Sequence, residues 1–122
     1  MAIIQPVIEE QLFGSTSPNG SARITWGPMT NGDVGYPARY HSHSDRSVQV
    51  VGTFGAGGNV AVQGSLDEVN FSTLNDPQGS PVNLTATSIR AMAEMSTVIR
   101  PAITAGDATT SLTVTMIMRR AP

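Results

Sequence analysis

The chain has no cysteine and no lysine, and only 13% of its 122 residues are charged. A typical soluble domain carries about 25% charged residues, so we expect a surface that is mostly neutral and polar. Because cysteine is absent, disulfide bonds, thiol catalysis and zinc–thiolate sites are excluded. All seven basic residues are arginine and the formal net charge is −2, so we expect no basic surface for phosphate and no nucleic-acid partner.

Long apolar runs and a basic amino-terminal segment are missing as well. The apolar runs extend over a few residues only, too short to span a membrane, so we expect no membrane partner. The first ten residues, MAIIQPVIEE, carry two glutamates and no basic residue, unlike a secretion signal. We therefore expect the protein to be made and to fold in the cytoplasm.

Short segments in which apolar and polar residues alternate make up most of the chain. Glycine, asparagine, aspartate and proline separate them at intervals of about ten residues, as turn residues do. These segments predict an all-β fold, an antiparallel β-sandwich of the jelly-roll-like kind. The segment TSIRAMAEM (87–95) fits a short helix or a strand, and we favour the strand because its neighbours are strands. The alternating segments are ARITWGPM (22–29), SVQVVGTF (47–54), NVAVQGS (59–65), PVNLTA (81–86), TVIRPAIT (97–104) and SLTVTMIMRR (111–120).

The first 20 residues differ from the rest of the chain. MAIIQPVIEE is apolar without alternation, and GSTSPNGSA (14–22) has the composition of a flexible linker. We predict an extended N-terminal arm and linker over residues 1–20, followed by a single β-sandwich domain over 21–122. The arm is expected to become ordered on another protein, and arginine is favoured at protein interfaces. The interface candidates are Ile3, Ile4, Pro6, Val7, Ile8, Arg119 and Arg120.

The segment HSHSDR (41–46) is the sharpest candidate for chemistry. On a strand, His41, His43 and Asp45 would share one face and could together hold a metal ion. The alternative is a polar edge that leads into the next strand, which we favour because no ligand from a distant segment is evident. Most of the five aspartates lie in predicted turns, where the carboxylate accepts hydrogen bonds from the turn backbone. With no G-x-S-x-G elbow and two neighbouring histidines, we expect no catalytic residue, no cofactor and no enzyme activity.

The glycine-rich stretch GTFGAGGNVAVQG (52–64) allows two interpretations. A phosphate-binding loop would be followed by a helix and usually by a lysine, whereas here another alternating segment follows. The stretch therefore predicts a β-hairpin in which Gly55, Gly57 and Gly58 supply positive φ. Val50 and Phe54 would then pair near Val60 and Val62 on the returning strand.

Residues 45–120 resemble a group of small virion structural proteins of tailed bacteriophages. The resemblance is carried by DRSVQVVGTFGAGGNVAVQGSLDEVNFSTLNDPQG and by IRPAITAGDATTSLTVTMIMRR. In this pattern a strand ends at GTFG, a glycine turn follows, and DEVNFSTL forms a D-x-x-N-aromatic-x-x-L hairpin before the closing strands. Phe71 stands where the pattern leads us to expect tryptophan.

The resemblance implies a capsid decoration or cement protein that works by binding. Its expected partners are the major capsid protein, on the outer surface of the phage head, and further copies of itself, as a trimer or another homo-oligomer. A component of the head–tail junction or tail is an alternative. A second alternative is a carbohydrate- or receptor-binding module on the virion, for which Trp26, Tyr36 and Tyr40 are the candidate stacking residues.

Overall fold

A computed structural model describes residues 1–10 and 21–120, and every regular element in these ranges is a β-strand. The segment predicted as either helix or strand contains β9, so the choice of strand is confirmed. The described ranges contain no helix that is long and apolar enough to cross a membrane. The strands are β1 (Ile3–Ile4), β2 (Val7–Glu10), β3 (Ser21–Met29), β4 (Val34–Gly35), β5 (Asp45–Thr53), β6 (Asn59–Ser65), β7 (Ser72–Thr73), β8 (Asn83–Leu84), β9 (Ser88–Met92), β10 (Val98–Ala105) and β11 (Ser111–Arg119).

Two sheets pack face to face and confirm the predicted β-sandwich. One sheet has the strand order β1-β4-β10-β6-β7, with β8 also paired to β6, and the other has the order β2-β3-β11-β5-β9. The pairings are antiparallel except for the parallel pair of β1 and β4. Strand β11 shows how the alternating pattern produces this arrangement, since Val114 and Met116 are buried while Thr115 and Ile117 face outward.

The core lies between the sheets and is built from the inward residues of both. Trp26 is fully buried at its centre, and its indole N–H donates to the backbone oxygen of Tyr36 at 3.0 Å. Burying an aliphatic or aromatic side chain of this kind stabilises a fold by about 1.5–3 kcal/mol. The core residues thus fix which face of each strand points inward.

The glycine-rich stretch is not a hairpin, and this prediction was wrong. Strand β5 pairs with β11 and β9 in one sheet, whereas β6 pairs with β10, β7 and β8 in the other. The segment between them therefore crosses from sheet to sheet. Gly55 and Gly57 have a φ of 71°, as expected, but Gly58 is not among the positive-φ glycines. A carboxylate oxygen of Asp107 accepts the Ala56 N–H at 2.8 Å and ties this corner to the loop before β11.

The first ten residues lie along both sheets of their own chain. Strand β1 adds to one sheet beside β4, and β2 adds to the other beside β3. The backbone N–H groups of Val34 and Tyr36 donate to the carbonyl oxygens of Ala2 and Ile4 at 3.0 and 2.8 Å. The predicted linker, and with it the boundary at residue 20, lies outside the described residues apart from its last positions.

Candidate interaction surface

The structure does not bring the three candidate metal ligands together. His41 lies exposed in a turn, because the strand begins only at Asp45. His43 is buried and packs edge-on against the Tyr40 ring, with 5.1 Å between the ring centroids. The Asp45 carboxylate instead accepts a hydrogen bond from Arg119 Nε at 2.6 Å. Among the residues that the structure describes, no group of three His, Cys, Asp or Glu side chains could hold a metal ion.

A buried arginine that the sequence did not single out organises this segment. The Arg46 guanidinium donates to the backbone oxygens of His43, Tyr40 and Ser96 at 2.6, 2.9 and 3.1 Å. It also donates to Ser96 Oγ at 2.9 Å. Burial lowers the pKa of Arg46 from its ordinary value. These contacts give the HSHSDR segment a structural role.

The three aromatic candidates for sugar stacking have different environments. Trp26 is buried, and Tyr40 packs against the core while its hydroxyl donates to Glu10 at 2.9 Å. Burial and this hydrogen bond raise the pKa of Tyr40 to about 12. Tyr36 is 52% exposed and lines a cavity of about 330 Å³ together with Arg39 and Glu68. Of the three, Tyr36 alone is an exposed residue.

The predicted interface residues are on the surface to different degrees. Ile3, Val7 and Ile8 are exposed, whereas Ile4 and Pro6 are half-buried. At the other end of the described chain Arg119 is held by Asp45, and Arg120 is exposed. Their role as contact residues stays a prediction.

The segment called here the 65–71 loop runs from the last residue of β6 to the start of β7 and displays two large aliphatic side chains to solvent. Gln63 and Gly64 pair with Thr73 and Ser72, which confirms the hairpin expected from the DEVNFSTL pattern. In this loop Leu66 is 75% exposed and Val69 is 78% exposed. Covering large aliphatic side chains that are this exposed removes apolar surface from water, so it favours binding of a partner.

The Asp67 carboxylate holds the loop in one conformation. Its Oδ1 accepts hydrogen bonds from the Asn70 and Val69 backbone N–H groups and from Ser65 Oγ, at 2.8–2.9 Å. Its Oδ2 accepts from Asn70 Nδ2 at 2.8 Å. The hydrogen bonds from Asn70, Val69 and Ser65 hold the pKa of Asp67 well below its usual range. The next residue, Glu68, has a φ of 67°, a conformation that non-glycine residues rarely adopt.

Two arginines contact the loop, Arg39 from the segment between β4 and β5 and Arg100 from β10. The guanidinium of Arg39 pairs with both carboxylate oxygens of Glu68, which lowers the pKa of Glu68. Arg100 stacks over the Phe71 ring, 3.7 Å from its centroid, and donates to Gln63 at 2.9 Å. Both ionisable side chains of the loop are therefore partnered within the chain.

Residues of the loop help to line two cavities. The first, of about 320 Å³, is lined by Leu66, Leu74 and Met95 together with small polar residues. The second is the cavity beside Tyr36 described above. The loop thus exposes aliphatic side chains beside concave surfaces, and its two carboxylates are already hydrogen-bonded within the chain. Such a surface is suited to contact with another protein. A large apolar residue within a turn, as in SLDEVN, is the only sequence signal that points to this surface.

No family model matches the chain. No curated protein matches it either. Among solved structures, the chain is similar to the crystal structure of the SPBc2 prophage-derived protein YomS, with a TM-score of 0.56 and 9% sequence identity. The match covers 80% of this chain and 93% of that one, so the two share the main part of the fold.

Proposed function

We propose that the protein is a structural component of a bacteriophage virion, and in particular a capsid decoration or cement protein. In this role it binds the major capsid protein on the outer shell and stabilises the head. The observation that carries the proposal is the 65–71 loop, in which the Asp67 carboxylate accepts hydrogen bonds from Val69 and Asn70 while Leu66 and Val69 are exposed. The bacteriophage context is supported by the resemblance of residues 45–120 to tailed-phage virion proteins and by the fold shared with a prophage-derived protein.

Binding through this loop has a favourable energy balance. Covering an aliphatic side chain such as Leu66 contributes up to about 1.5–3 kcal/mol. The Asp67 hydrogen bonds order the loop before binding, so little conformational entropy is lost on contact. A modest contact of this kind, repeated over many copies on a shell, strengthens the particle without a cofactor, nucleic acid or catalysis.

The exposed residues of the first strands extend the proposed contact. Ile3, Val7 and Ile8 lie on β1 and β2, which pair with the domain while exposing these side chains. In the proposal Ile3 and Ile8, together with Arg120, contact the capsid, whereas Val7 lies beside Thr25 on the outer face of its sheet. Their contribution is separable from that of the loop by substitution.

The position of the protein in intact particles tests this function. Cryo-electron microscopy of purified virions, with copy number from quantitative mass spectrometry, should show density at repeated positions over the whole shell. Density confined to one vertex would instead support the head–tail junction, and density along the tail would support a tail component. Absence from purified particles would refute a virion role.

A binding assay with variants tests the surface itself. Particles lacking the protein are mixed with purified wild type, with Leu66→Asp/Val69→Asp, or with the conservative pair Leu66→Met/Val69→Ile. We expect the acidic pair to lose attachment and the conservative pair to retain it, because only the former places charges in the contact. Full attachment of the acidic pair would overturn the assignment of this surface.

One observation favours carbohydrate binding as a second candidate function. The exposed Tyr36 lines a cavity together with Arg39 and Glu68. A sugar could stack on the tyrosine ring and form hydrogen bonds with the two charged side chains. Binding of purified protein to host-cell envelopes, compared with Tyr36→Ala, tests this candidate. Equal binding by both proteins would rule out Tyr36 as a sugar-stacking residue.

A further inference from the structure

The outer face of the five-stranded sheet is an open surface with little charge. Buried residues alternate with outward residues along its strands, so the strand register defines rows of neighbouring side chains across the sheet. The central row, called here the Thr115 row, consists of Val7, Thr25, Thr115, Gln49 and Ile89. The next row, called the Ile117 row, consists of Glu9, Arg23, Ile117, Ser47 and Ala91. On the opposite side of the Thr115 row lie Thr113 and Val51.

Charges on this face lie on one side of the Thr115 row. Arg23 pairs with Glu9 at 3.0 Å in the Ile117 row, and Arg119 pairs with Asp45 at 2.6 Å beyond it. The Thr115 row and the pair of Thr113 and Val51 carry no charge. The centre of the face is thus uncharged, with ion pairs along one border, as in the core and rim of a protein interface.

The face also has a place for an incoming side chain. A shallow cavity of about 100 Å³ lies between Ile89, Ile117 and Thr115, with Ser47, Val48 and Gln49 completing its lining. Ile89 is 67% exposed at one margin of the face, and Val7 is exposed at the other. Aliphatic groups thus border the face on both edge strands.

We propose that this face binds the same face of a second copy of the chain. The charge distribution selects the symmetry of the pair. A two-fold axis parallel to the strands would place Arg119 opposite its own copy, which is unfavourable. An axis that crosses the strands along the Thr115 row places Ile89 against Ile89 and Ile117 against Thr113, and it brings no like charges together.

The size of the face indicates a weak dimer. The twelve outward positions of these rows, spaced about 4.8 Å across the strands and about 7 Å along them, cover roughly 400 Å² on each copy. The total of roughly 800 Å² lies below the ~1,000 Å² that specific interfaces usually exceed, so we expect association that depends on concentration. The inference concerns the free protein and does not depend on capsid attachment.

Cross-linking tests the inference, and the absence of cysteine makes the experiment direct. Thr115→Cys places a thiol on the proposed axis, so a short bis-maleimide should join two copies in purified protein. Thr73→Cys, at an exposed position on β7 of the other sheet, is the matched control. Preferential cross-linking at position 115 supports the dimer, and equal or lower cross-linking there overturns it.

Sedimentation velocity over a concentration series gives an independent measurement. We expect the mean sedimentation coefficient of the wild type to rise with concentration, that of Ile89→Val to rise similarly, and that of Ile89→Asp to stay at the monomer value. Because Ile89 is exposed, the acidic variant should keep its thermal unfolding midpoint, which separates lost association from lost folding. A wild type that remains monomeric, or an Ile89→Asp protein that associates equally well, would refute this interface while leaving capsid attachment open.

Discussion

The carboxylate of Asp33 accepts a hydrogen bond from the backbone N–H of Ala2 at 3.0 Å and so ties the first strand to the turn before β4. The other carboxylate oxygen accepts from the Thr30 N–H at 2.8 Å and from its hydroxyl at 2.9 Å. Asp33 is buried, so few water molecules can replace these bonds. One side chain therefore joins the N-terminal segment to the sandwich.

Replacing Asp33 with alanine should lower the free energy of unfolding by about 2 kcal/mol, because buried backbone donors lose their acceptor. The measurement is urea denaturation, with hydrogen exchange at the Val34 and Tyr36 amides as a local readout. We expect both amides to exchange faster, since they donate to Ala2 and Ile4. Unchanged exchange at both positions would show that Asp33 does not hold β1.

Stability should fall in acid, because several turn carboxylates, Asp33, Asp67 and Asp107 among them, have lowered pKa values in the folded protein. Burial opposes ionisation of Asp33, but hydrogen bonds from Thr30 and Ala2 outweigh it and lower its pKa. Hydrogen bonds from Thr109 and Ala56 lower the pKa of Asp107 to about 2, and Asp67 shifts in the same direction.

A lowered folded-state pKa stabilises the protein above the unfolded-state pKa, and that stability is lost as pH falls through the folded-state value. For an aspartate with an unfolded pKa of about 3.9, the change begins near pH 5 and continues towards pH 2. Urea denaturation at a series of pH values should show this loss, with a smaller slope in Asp107→Asn. A flat profile between pH 5 and pH 2 would contradict the carboxylate assignment.

The two glycines at the sheet-to-sheet corner should respond differently to alanine. A Cβ at Gly58 would lie 2.1 Å from the backbone oxygen of Phe54, whereas a Cβ at Gly57 would meet no atom within 4 Å. Gly57→Ala should cost about 1–2 kcal/mol for its left-handed backbone alone, and Gly58→Ala should cost more because the backbone must move. Chemical denaturation of both variants measures the difference. Equal costs would mean that the corner adjusts freely.

The buried Arg46 offers a sharper test of the fold near HSHSDR. Arg46→Ala removes the donors for three backbone oxygens and one hydroxyl, so the free energy of unfolding should fall by about 3 kcal/mol or more. Arg120→Ala, at an exposed position, is the matched control and should change stability little. A near-neutral Arg46→Ala protein would show that water satisfies these groups.

The sequence could predict the strands better than their connections. Alternation along β11 reflects burial of every second residue, so the pattern follows the physics of the sheet directly. The prediction of a hairpin at Gly52–Gly64 was wrong because glycines with positive φ occur both in turns within a sheet and in corners between sheets. Strands β1 and β2 lie at sheet edges, and their residues do not alternate between buried and exposed. The sequence therefore has no periodic pattern from which these strands could be predicted.

The interaction surface was harder to predict than the fold, for a related reason. The DEVNFSTL pattern predicts the hairpin, but exposure of Leu66 and Val69 depends on where the loop lies relative to both sheets. The HSHSDR histidines separate because His41 lies in a turn and Arg46 holds the backbone at His43, and Arg46 is itself bonded to the distant Ser96. Tertiary contacts therefore decide which candidate residues meet.

A substitution at Asp67 can change the order of the 65–71 loop without changing the aliphatic side chains that it exposes. Asp67→Ala retains Leu66 and Val69 but removes the acceptor for the Val69 and Asn70 N–H groups. We expect weaker attachment to particles than wild type, by roughly tenfold, because ordering the loop on binding would then cost about 1.4 kcal/mol. The affinity of the Asp67→Asn protein, which keeps one acceptor oxygen, should lie between those of the wild type and Asp67→Ala.

Titration of particles lacking the protein measures the three affinities, and hydrogen exchange of the free proteins measures loop order. If the loop becomes mobile in Asp67→Ala while attachment stays at the wild-type level, then preorganisation of this loop does not contribute to binding.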